Sequence, residues 1–301
     1  MKNGRALKIL LGILGLAAAL ALAAFVWVMR HPMEVFASLS RKELAKTGMV
    51  KLSLEAPSGR LTYWKGGSGP ALVLLHGVND QAGTFAKIVP GLLGRFTVLI
   101  PDLPGHGESE PAAGDLSLGS MVQATGTLLT KEAPGGAVLV GNSMGAWIAF
   151  LVAQDGANVS RIVAVNGGPL RGDTAGLSLT PKTRAEAARL MEALRDSSSP
   201  RLPGFVLDDL VRRAPASQAA RMSVADMTPF LLDGRLEGFT VPVDLLYGAS
   251  DQLVPLAYAR KVMTQIPRAR LTEVPRCGHV PQVECPIAFG KALDGLLEVA
   301  P

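Results

Sequence analysis

The chain has 301 residues, 48% of them hydrophobic and 18% charged, with a formal net charge of +5. That balance excludes a disordered polar chain and supplies apolar material for a large core. Residues 1–40 hold Lys2, Arg5, Lys8 and Arg30 against Glu34 alone, so +3 of the +5 lies there and +2 is left for the rest, which argues against nucleic acid as a partner.

In chain order, a basic opening at residues 1–8 precedes an uncharged apolar run over residues 9–29. At 1.5 Å per residue that run spans roughly 31 Å as a helix, enough to cross a hydrocarbon core. Arg30, His31 and Pro32 end it abruptly, and Trp27 suits a membrane interface. Small residues at Ala19, Ala21 and Ala23 leave cleavage of a signal peptide, and secretion, as the alternative. The continuation through Phe25, Val26 and Val28 favours a retained single-pass anchor. Lys2, Arg5 and Lys8 point to a cytoplasmic N-terminus and an extracytoplasmic C-terminal domain, a contrast weakened by Arg41, Lys42 and Lys46. Residues 30–48 read as a linker with some helical character.

Short apolar strands then alternate with helical patterns. Met49–Glu55 and Arg60–Lys65 flank the turn Ala56-Pro57-Ser58-Gly59 and read as an antiparallel hairpin. Ala71–Leu75, Phe96–Pro101, Ala137–Val140, Arg161–Val165, Val243–Tyr247 and Arg270–Val274 are continuous apolar or β-branched runs. Continuous rather than alternating runs suit strands covered on both faces, hence a mostly parallel sheet with crossover helices. Helices are expected near residues 82–94, 117–132, 144–155, 255–266 and 286–299. The rhythm breaks over residues 167–239, where helical stretches are expected at Lys182–Arg195, Pro203–Arg213 and Ser217–Leu232. A helical cap over a core made of residues 49–166 and 240–301 is the natural organisation.

The chemistry concentrates at loops that follow strands. Gly141-Asn142-Ser143-Met144-Gly145 lies between a strand and a helical pattern, which is G-x-S-x-G in the context that gives it meaning. The chain must turn sharply there, exposing the Ser143 hydroxyl, while the helix start offers the Met144 N–H to a developing oxyanion. A serine nucleophile needs a base, and the four histidines are His31, His76, His106 and His279. His31 ends the apolar segment; the other three follow strands, on the face where doubly wound sheets bind ligands. The chain order Ser, Asp, His selects His279, with Asp251 as its acid and Asp244, inside a strand, as a poorer choice.

These motifs resemble the α/β-hydrolase fold from about residue 49 to the end. The resemblance is carried by the elbow, His76-Gly77, Asp102-Leu103-Pro104-Gly105-His106-Gly107-Glu108-Ser109, Gly248-Ala249-Ser250-Asp251 through Val254-Pro255, and Gly278-His279 through Glu284 and Pro286. Within that fold the elbow, cap and apolar N-terminus look most like monoacylglycerol lipase-type serine esterases. Ala146 departs from the glycine often found after such an elbow. The resemblance implies an eight-stranded, mostly parallel sheet. It further implies Ser143, Asp251 and His279 as catalytic residues, Val78 and Met144 amides as oxyanion donors, and His76, Gly77, Gly141 and Gly145 as their support. Asp102 and His106 would be structural, and no cofactor or metal is called for. The implied activity is hydrolysis of a lipid or medium-chain acyl ester. Alternatives are a carbon–carbon bond hydrolase of ring-cleavage products, a cofactor-free haloperoxidase, and a non-catalytic binding module on the same scaffold. The carbon–carbon hydrolase would want a cation in its pocket; Arg171, Arg184 and Arg189 are the candidates. Cys277 and Cys285 bracket His279. Two buried thiols are the expectation, and a disulfide is the alternative that an oxidising compartment permits. Glu284 is expected to fix the loop or cap the last helix.

Overall fold

The computed structural model describes residues 2–172, 176–222 and 227–298. Helix α1 (Lys2–Arg30) contains Leu10–Arg30, of mean hydropathy 2.4 and unburied by the rest of the chain, long and apolar enough to cross a membrane. Helix α2 (Pro32–Lys46) follows after one residue, with Pro32 fixing its first turn. The stretch expected to be a linker with some helical character is therefore a regular helix, and it buries Leu44 completely.

Eight strands follow: β1 (Val50–Ala56), β2 (Gly59–Gly67), β3 (Ala71–Leu75), β4 (Thr97–Pro101), β5 (Ala137–Asn142), β6 (Val159–Val165), β7 (Val243–Gly248) and β8 (Arg270–Val274). They form one sheet in the order β1-β2-β4-β3-β5-β6-β7-β8, the α/β-hydrolase architecture. Only the β1–β2 and β2–β4 pairs are antiparallel. Alternation along each strand splits the core in two. Val73, Leu75, Leu99 and Leu139 join one buried cluster, while Leu72, Leu74, Val98 and Val140 join the other. Helices α3 (Leu118–Glu132), α4 (Met144–Gln154) and α7 (Leu256–Gln265) cover the first face. Phe85, Val89 and, from the last helix α8 (Pro286–Glu298), Phe289 and Leu293 cover the second. Each such side chain, withdrawn fully from water, contributes about 1.5–3 kcal/mol, which is why the continuous apolar strands report burial on both sides.

One expected helix is absent among the described residues, and another falls partly outside them. Residues 82–94 form short 3-10 turns at Ala82–Phe85 and Val89–Gly91, because Pro90 and three glycines interrupt the pattern and Gln81 caps the first turn through Gly83 N–H at 2.8 Å. Of the expected Ser217–Leu232 helix, residues 223–226 lie outside the described residues, and the 3-10 turn Thr228–Phe230 follows shortly after them. There Arg221 spends its backbone carbonyl on Leu116 N–H and its guanidinium on the carbonyls of Pro111 and Gly114. The insertion between β6 and β7 does hold α5 (Arg184–Ala193), whose first turn is capped by Thr183, and α6 (Gly204–Arg213). Helix α6 packs on the α1–α2 junction: the buried Asp209 carboxylate accepts Met33 N–H at 3.0 Å, and Arg212 reaches both Asp209 and the Arg30 carbonyl.

Candidate active site

The strand order reverses direction around β3, so β3 and β5 deliver their C-terminal ends to the crevice where such sheets bind ligands. From β5 the chain turns into α4 through Ser143, which adopts φ 57° and ψ −118°, a backbone region that L residues avoid. The strain is enforced by neighbours that allow nothing larger than hydrogen. A Cβ on Gly141 would lie 2.3 Å from Gly145 C, and one on Gly145 would lie 2.3 Å from Leu75 O. Strand, elbow and helix therefore interlock, and Ser143 is held at the head of α4.

His279 and Asp251 arrive on the loops after β8 and β7. His279 Nδ1 lies 2.7 Å from Asp251 Oδ2, and Nε2 lies 2.9 Å from Ser143 Oγ. A carboxylate only accepts, so Nδ1 carries the proton, Nε2 is the acceptor and the serine hydroxyl donates to it. Asp251 is itself fixed from every side: Oδ1 accepts Leu253 and Val254 N–H, and Oδ2 also accepts Asn166 Nδ2 at 2.6 Å. Asp244, by contrast, is buried in β7 and bridged to Arg161 and Arg270, away from this line of groups.

Asn142, Asn166 and Leu194 take part without a sequence signal of their own, whereas Glu284 takes its expected place on the loop. Asn142, next to the serine, donates from Nδ2 to the His279 carbonyl at 2.8 Å and accepts from Gln282 Nε2 at 3.1 Å. Asn166, at the end of β6 with φ 47°, joins Asp251 to Gly248 N–H. Leu194 O, just past α5, accepts His279 N–H at 2.8 Å. Glu284 binds Gly278 N–H through one oxygen and Asp196 N–H through the other, so it fixes the histidine loop and ties it to the insertion. Cys277 and Cys285 form a disulfide across the same loop, in place of the expected free thiols.

The loop after β3 faces the serine. Gly77 comes so near that a Cβ there would lie 3.1 Å from Ser143 Cβ. The amides of Val78 and Met144 donate to no acceptor among the described residues, and both residues line the same cavity as Ser143. His76 braces this loop from behind: its Nδ1 meets Gly77 O at 2.8 Å and its Nε2 accepts Leu103 N–H at 3.0 Å. The His106 ring lies 5.1 Å from that of His76. Burial pushes His76 down to about 4, and burial with the neighbouring imidazole pushes His106 down to about 3, so both are neutral frame residues. Asp102 accepts Ala82 N–H at 2.7 Å and Glu108 N–H at 2.9 Å, anchoring the loop that carries His106.

The cavity in front of Ser143 has a volume of about 830 Å³. Its walls are mainly apolar, with Trp147, Leu170, Met222, Met227, Leu231 and Val254 among them. Trp147 Nε1–H holds Phe230 O at 2.8 Å, fastening the insertion to α4. Of the three arginines considered for a pocket cation, Arg171 lines the cavity, whereas Arg184 pairs with Asp208 on the exposed surface. Among the described residues no group of three or more His, Cys, Asp or Glu side chains could hold a metal ion.

Residues 72–292 match the model of the alpha/beta hydrolase family, and the chain belongs to that family. It is a hydrolase whose curated relatives include esterases. Pimeloyl-[acyl-carrier protein] methyl ester esterase of Nitrosomonas europaea is 27% identical over 76% of this chain and 96% of its own length. The protein of the same name from Aromatoleum aromaticum is 30% identical over 72% of this chain and 94% of its own. Among solved structures, a membrane phospholipase A described as a bacterial virulence factor superposes with a TM-score of 0.73 at 24% identity, covering 95% of this chain and 99% of that one. At that identity the likeness speaks to fold alone.

Proposed function

We propose that this hydrolase is a membrane-anchored serine esterase that cleaves lipid or medium-chain acyl esters through an acyl-enzyme. The observation that carries the reading is the line Ser143 Oγ, His279 Nε2, His279 Nδ1 and Asp251 Oδ2, with links of 2.9 and 2.7 Å, opening into an apolar cavity. His279 takes the Ser143 proton as Oγ attacks the ester carbonyl, and Asp251 holds the tautomer and stabilises the imidazolium. The Val78 and Met144 amides receive the developing oxyanion, a contribution of about 3 kcal/mol per donor. His279 returns its proton to the leaving alkoxide, then activates the water that releases the acyl group. His76, Gly77, Gly141 and Gly145 support this machinery.

In this reading residues 49–166 and 240–301 are the catalytic core and residues 167–239 a cap whose Met222, Met227 and Leu231 adapt to flexible acyl chains. Residues 9–29 anchor the protein, in the manner of monoacylglycerol lipase-type esterases that meet their substrate at a bilayer. Two features support an extracytoplasmic core: the cations at Lys2, Arg5 and Lys8, and the Cys277–Cys285 disulfide, which belongs to an oxidising compartment.

The test is hydrolysis of p-nitrophenyl esters from acetate to palmitate by the full chain in detergent, beside Ser143→Ala. We expect turnover that peaks at medium or long acyl chains and disappears in the variant while its thermal unfolding is retained. Comparable turnover by a folded Ser143→Ala protein would sink the assignment.

A further inference from the structure

We propose that the substrate of this site carries an oxyanionic group, a phosphate or a carboxylate, that is bound at the cavity mouth by Arg171 and Lys261. The inference rests on the serine esterase reading and adds a substrate class to it.

A neutral alkyl ester needs only an apolar channel, and most of the cavity provides that. Yet Arg171 and Lys261 both line it, and both are exposed enough to meet solvent at its opening. Lys261 is not a loose surface side chain, and the backbone that carries Arg171 is fixed. Lys261 lies on the same face of α7 as Ala257 and Tyr258, which also line the cavity. Its Nζ donates to Arg171 O at 2.9 Å and to Asp233 Oδ1 at 3.0 Å. Asp233 Oδ2 accepts Arg171 N–H at 2.7 Å. One residue earlier, Tyr258 OH bonds both the N–H and the carbonyl of Leu170 at 2.8 Å. Tyr258, Asp233 and Lys261 thus clamp the backbone on either side of Arg171.

What the frame leaves over is the guanidinium. Among the described residues no carboxylate pairs with it, whereas Asp233 has both oxygens engaged. Among the described residues Arg171, Lys261 and Asp233 together give a local charge of +1, beside a wall that is otherwise uncharged. A planar guanidinium with no carboxylate partner among the described residues, next to an ammonium with one N–H unspent there, matches two oxygens of one phosphate or carboxylate. An exposed cation alone binds little, but an acyl chain seated in the cavity brings its anionic end to this place without further entropy loss. Charge at the mouth would also steer anionic substrates in at low ionic strength.

The experiment compares matched esters with the full chain in detergent. One pair is methyl octanoate and monomethyl suberate, which differ by a carboxylate at the acyl end. The other is 1-decanoylglycerol and its 3-phosphate, which differ by a phosphate on the leaving alcohol. We expect the wild type to favour the anionic member of at least one pair by tenfold or more in kcat/KM, and that ratio to shrink in 0.5 M salt. The pair that responds identifies the anion. Arg171→Glu should abolish the preference, Lys261→Gln should reduce it, and Asp233→Asn, which removes the facing carboxylate, should raise it. Lys291→Gln, on the helix that covers the other face of the sheet and outside the cavity lining, should leave it alone.

Equal kcat/KM within both pairs, or a preference that survives Arg171→Glu, overturns the proposal. A binding measurement separates this failure from failure of the esterase reading. Octyl phosphate and octanoate are titrated calorimetrically against Ser143→Ala, with octanol as the neutral reference. Tighter binding of an anion than of octanol, lost in Ser143→Ala/Arg171→Glu, supports the anion site even if no ester is turned over. Indistinguishable binding of all three overturns it.

Discussion

The side chain of Asn142 donates to the backbone carbonyl of His279 at 2.8 Å, so the residue that precedes the elbow serine also holds the loop of its hydrogen-bond partner. Strand β5 therefore carries both the nucleophile candidate and a brace for the base candidate, and the two cannot drift apart independently. Asn142→Ala should lower kcat by about 10- to 100-fold with a smaller change in KM, since misplacement of a catalytic group by an ångström has that scale. It also leaves a buried carbonyl without its donor, at about 1–3 kcal/mol of stability. Steady-state kinetics beside thermal unfolding check both parts; an unchanged kcat in a folded variant refutes the brace.

Asn166 makes the matching contact on the acid, giving Nδ2–H to Asp251 Oδ2 at 2.6 Å while its own carbonyl oxygen accepts Gly248 N–H. Its φ of 47° is a conformation that asparagine and glycine tolerate better than alanine, so Asn166→Gly removes the side chain without added strain. We expect Asn166→Gly to lose about tenfold in kcat. Asn166→Asp should lose more, because it sets a second carboxylate against Asp251 where only one can be ionised comfortably. A pair of kinetic measurements ranks the two variants; the reverse order contradicts the role given to this contact.

The legible parts of this molecule were those governed by local pattern. Strand Ala71–Leu75 stands at the residues where its apolar run predicts it, because burial on both faces leaves no polar alternation. The elbow is legible because its glycines answer a steric demand within five residues. Asn142 and Asn166 are illegible for the opposite reason. Each is an ordinary asparagine whose partner lies 137 or 85 positions away, and only the assembled sheet brings them together. Residues 82–94 mislead because an amphipathic run with Pro90 and scattered glycines fits short 3-10 turns as well as a helix. The disulfide was undecidable in principle, since spacing alone does not say whether two cysteines face each other.

The Cys277–Cys285 bridge closes a short loop around His279, with a sequence separation of 8. Restricting a loop of that length in the unfolded chain contributes about 2–3 kcal/mol. Cys277→Ala/Cys285→Ser should therefore lower the unfolding midpoint by several degrees and reduce kcat, and dithiothreitol should bring the wild type to the same values. In intact cells, maleimide labelling after denaturation without reductant should find no free thiol. A labelled wild-type chain would place these residues in a reducing compartment and remove the support the bridge gives to an extracytoplasmic core.

His106 gives the fold a pH dependence of known sign. Its imidazole is fully buried and held down to about 3, against about 6.5 in an unfolded chain. Between those values the unfolded state binds a proton that the folded state refuses, so stability is present above pH 6.5 and lost as pH falls toward 3. The slope is about 1.4 kcal/mol per pH unit for one such group. His106→Leu removes that proton, and it also removes the buried Nε2, which has no partner among the described residues. Unfolding free energies at pH 4.5, 5.5 and 7 should thus favour the variant increasingly at low pH. Parallel lines for the two proteins would show that His106 does not carry this dependence.

Asp209 binds the insertion to α2. Its carboxylate is wholly buried, yet it accepts Met33 N–H in the first turn of α2 and contacts Arg212, which also reaches the Arg30 carbonyl. A carboxylate at a helix N-terminus is favoured by the exposed amides and by the helix dipole, and the partners within α6 spare it the cost of isolation. Asp209→Ala deletes the acceptor and leaves Met33 N–H and the Arg212 guanidinium without it. The expected loss is about 1–3 kcal/mol, concentrated where α6 meets the α1–α2 junction. Hydrogen exchange should accordingly quicken in Gly204–Arg213 and in the first turn of Pro32–Lys46, while the sheet amides of β5 and β6 keep their protection. Limited trypsin treatment should cleave first at Arg212 or Arg213 in the variant. Uniform loss of protection across the sheet would mean instead that Asp209 supports the whole domain rather than this one joint.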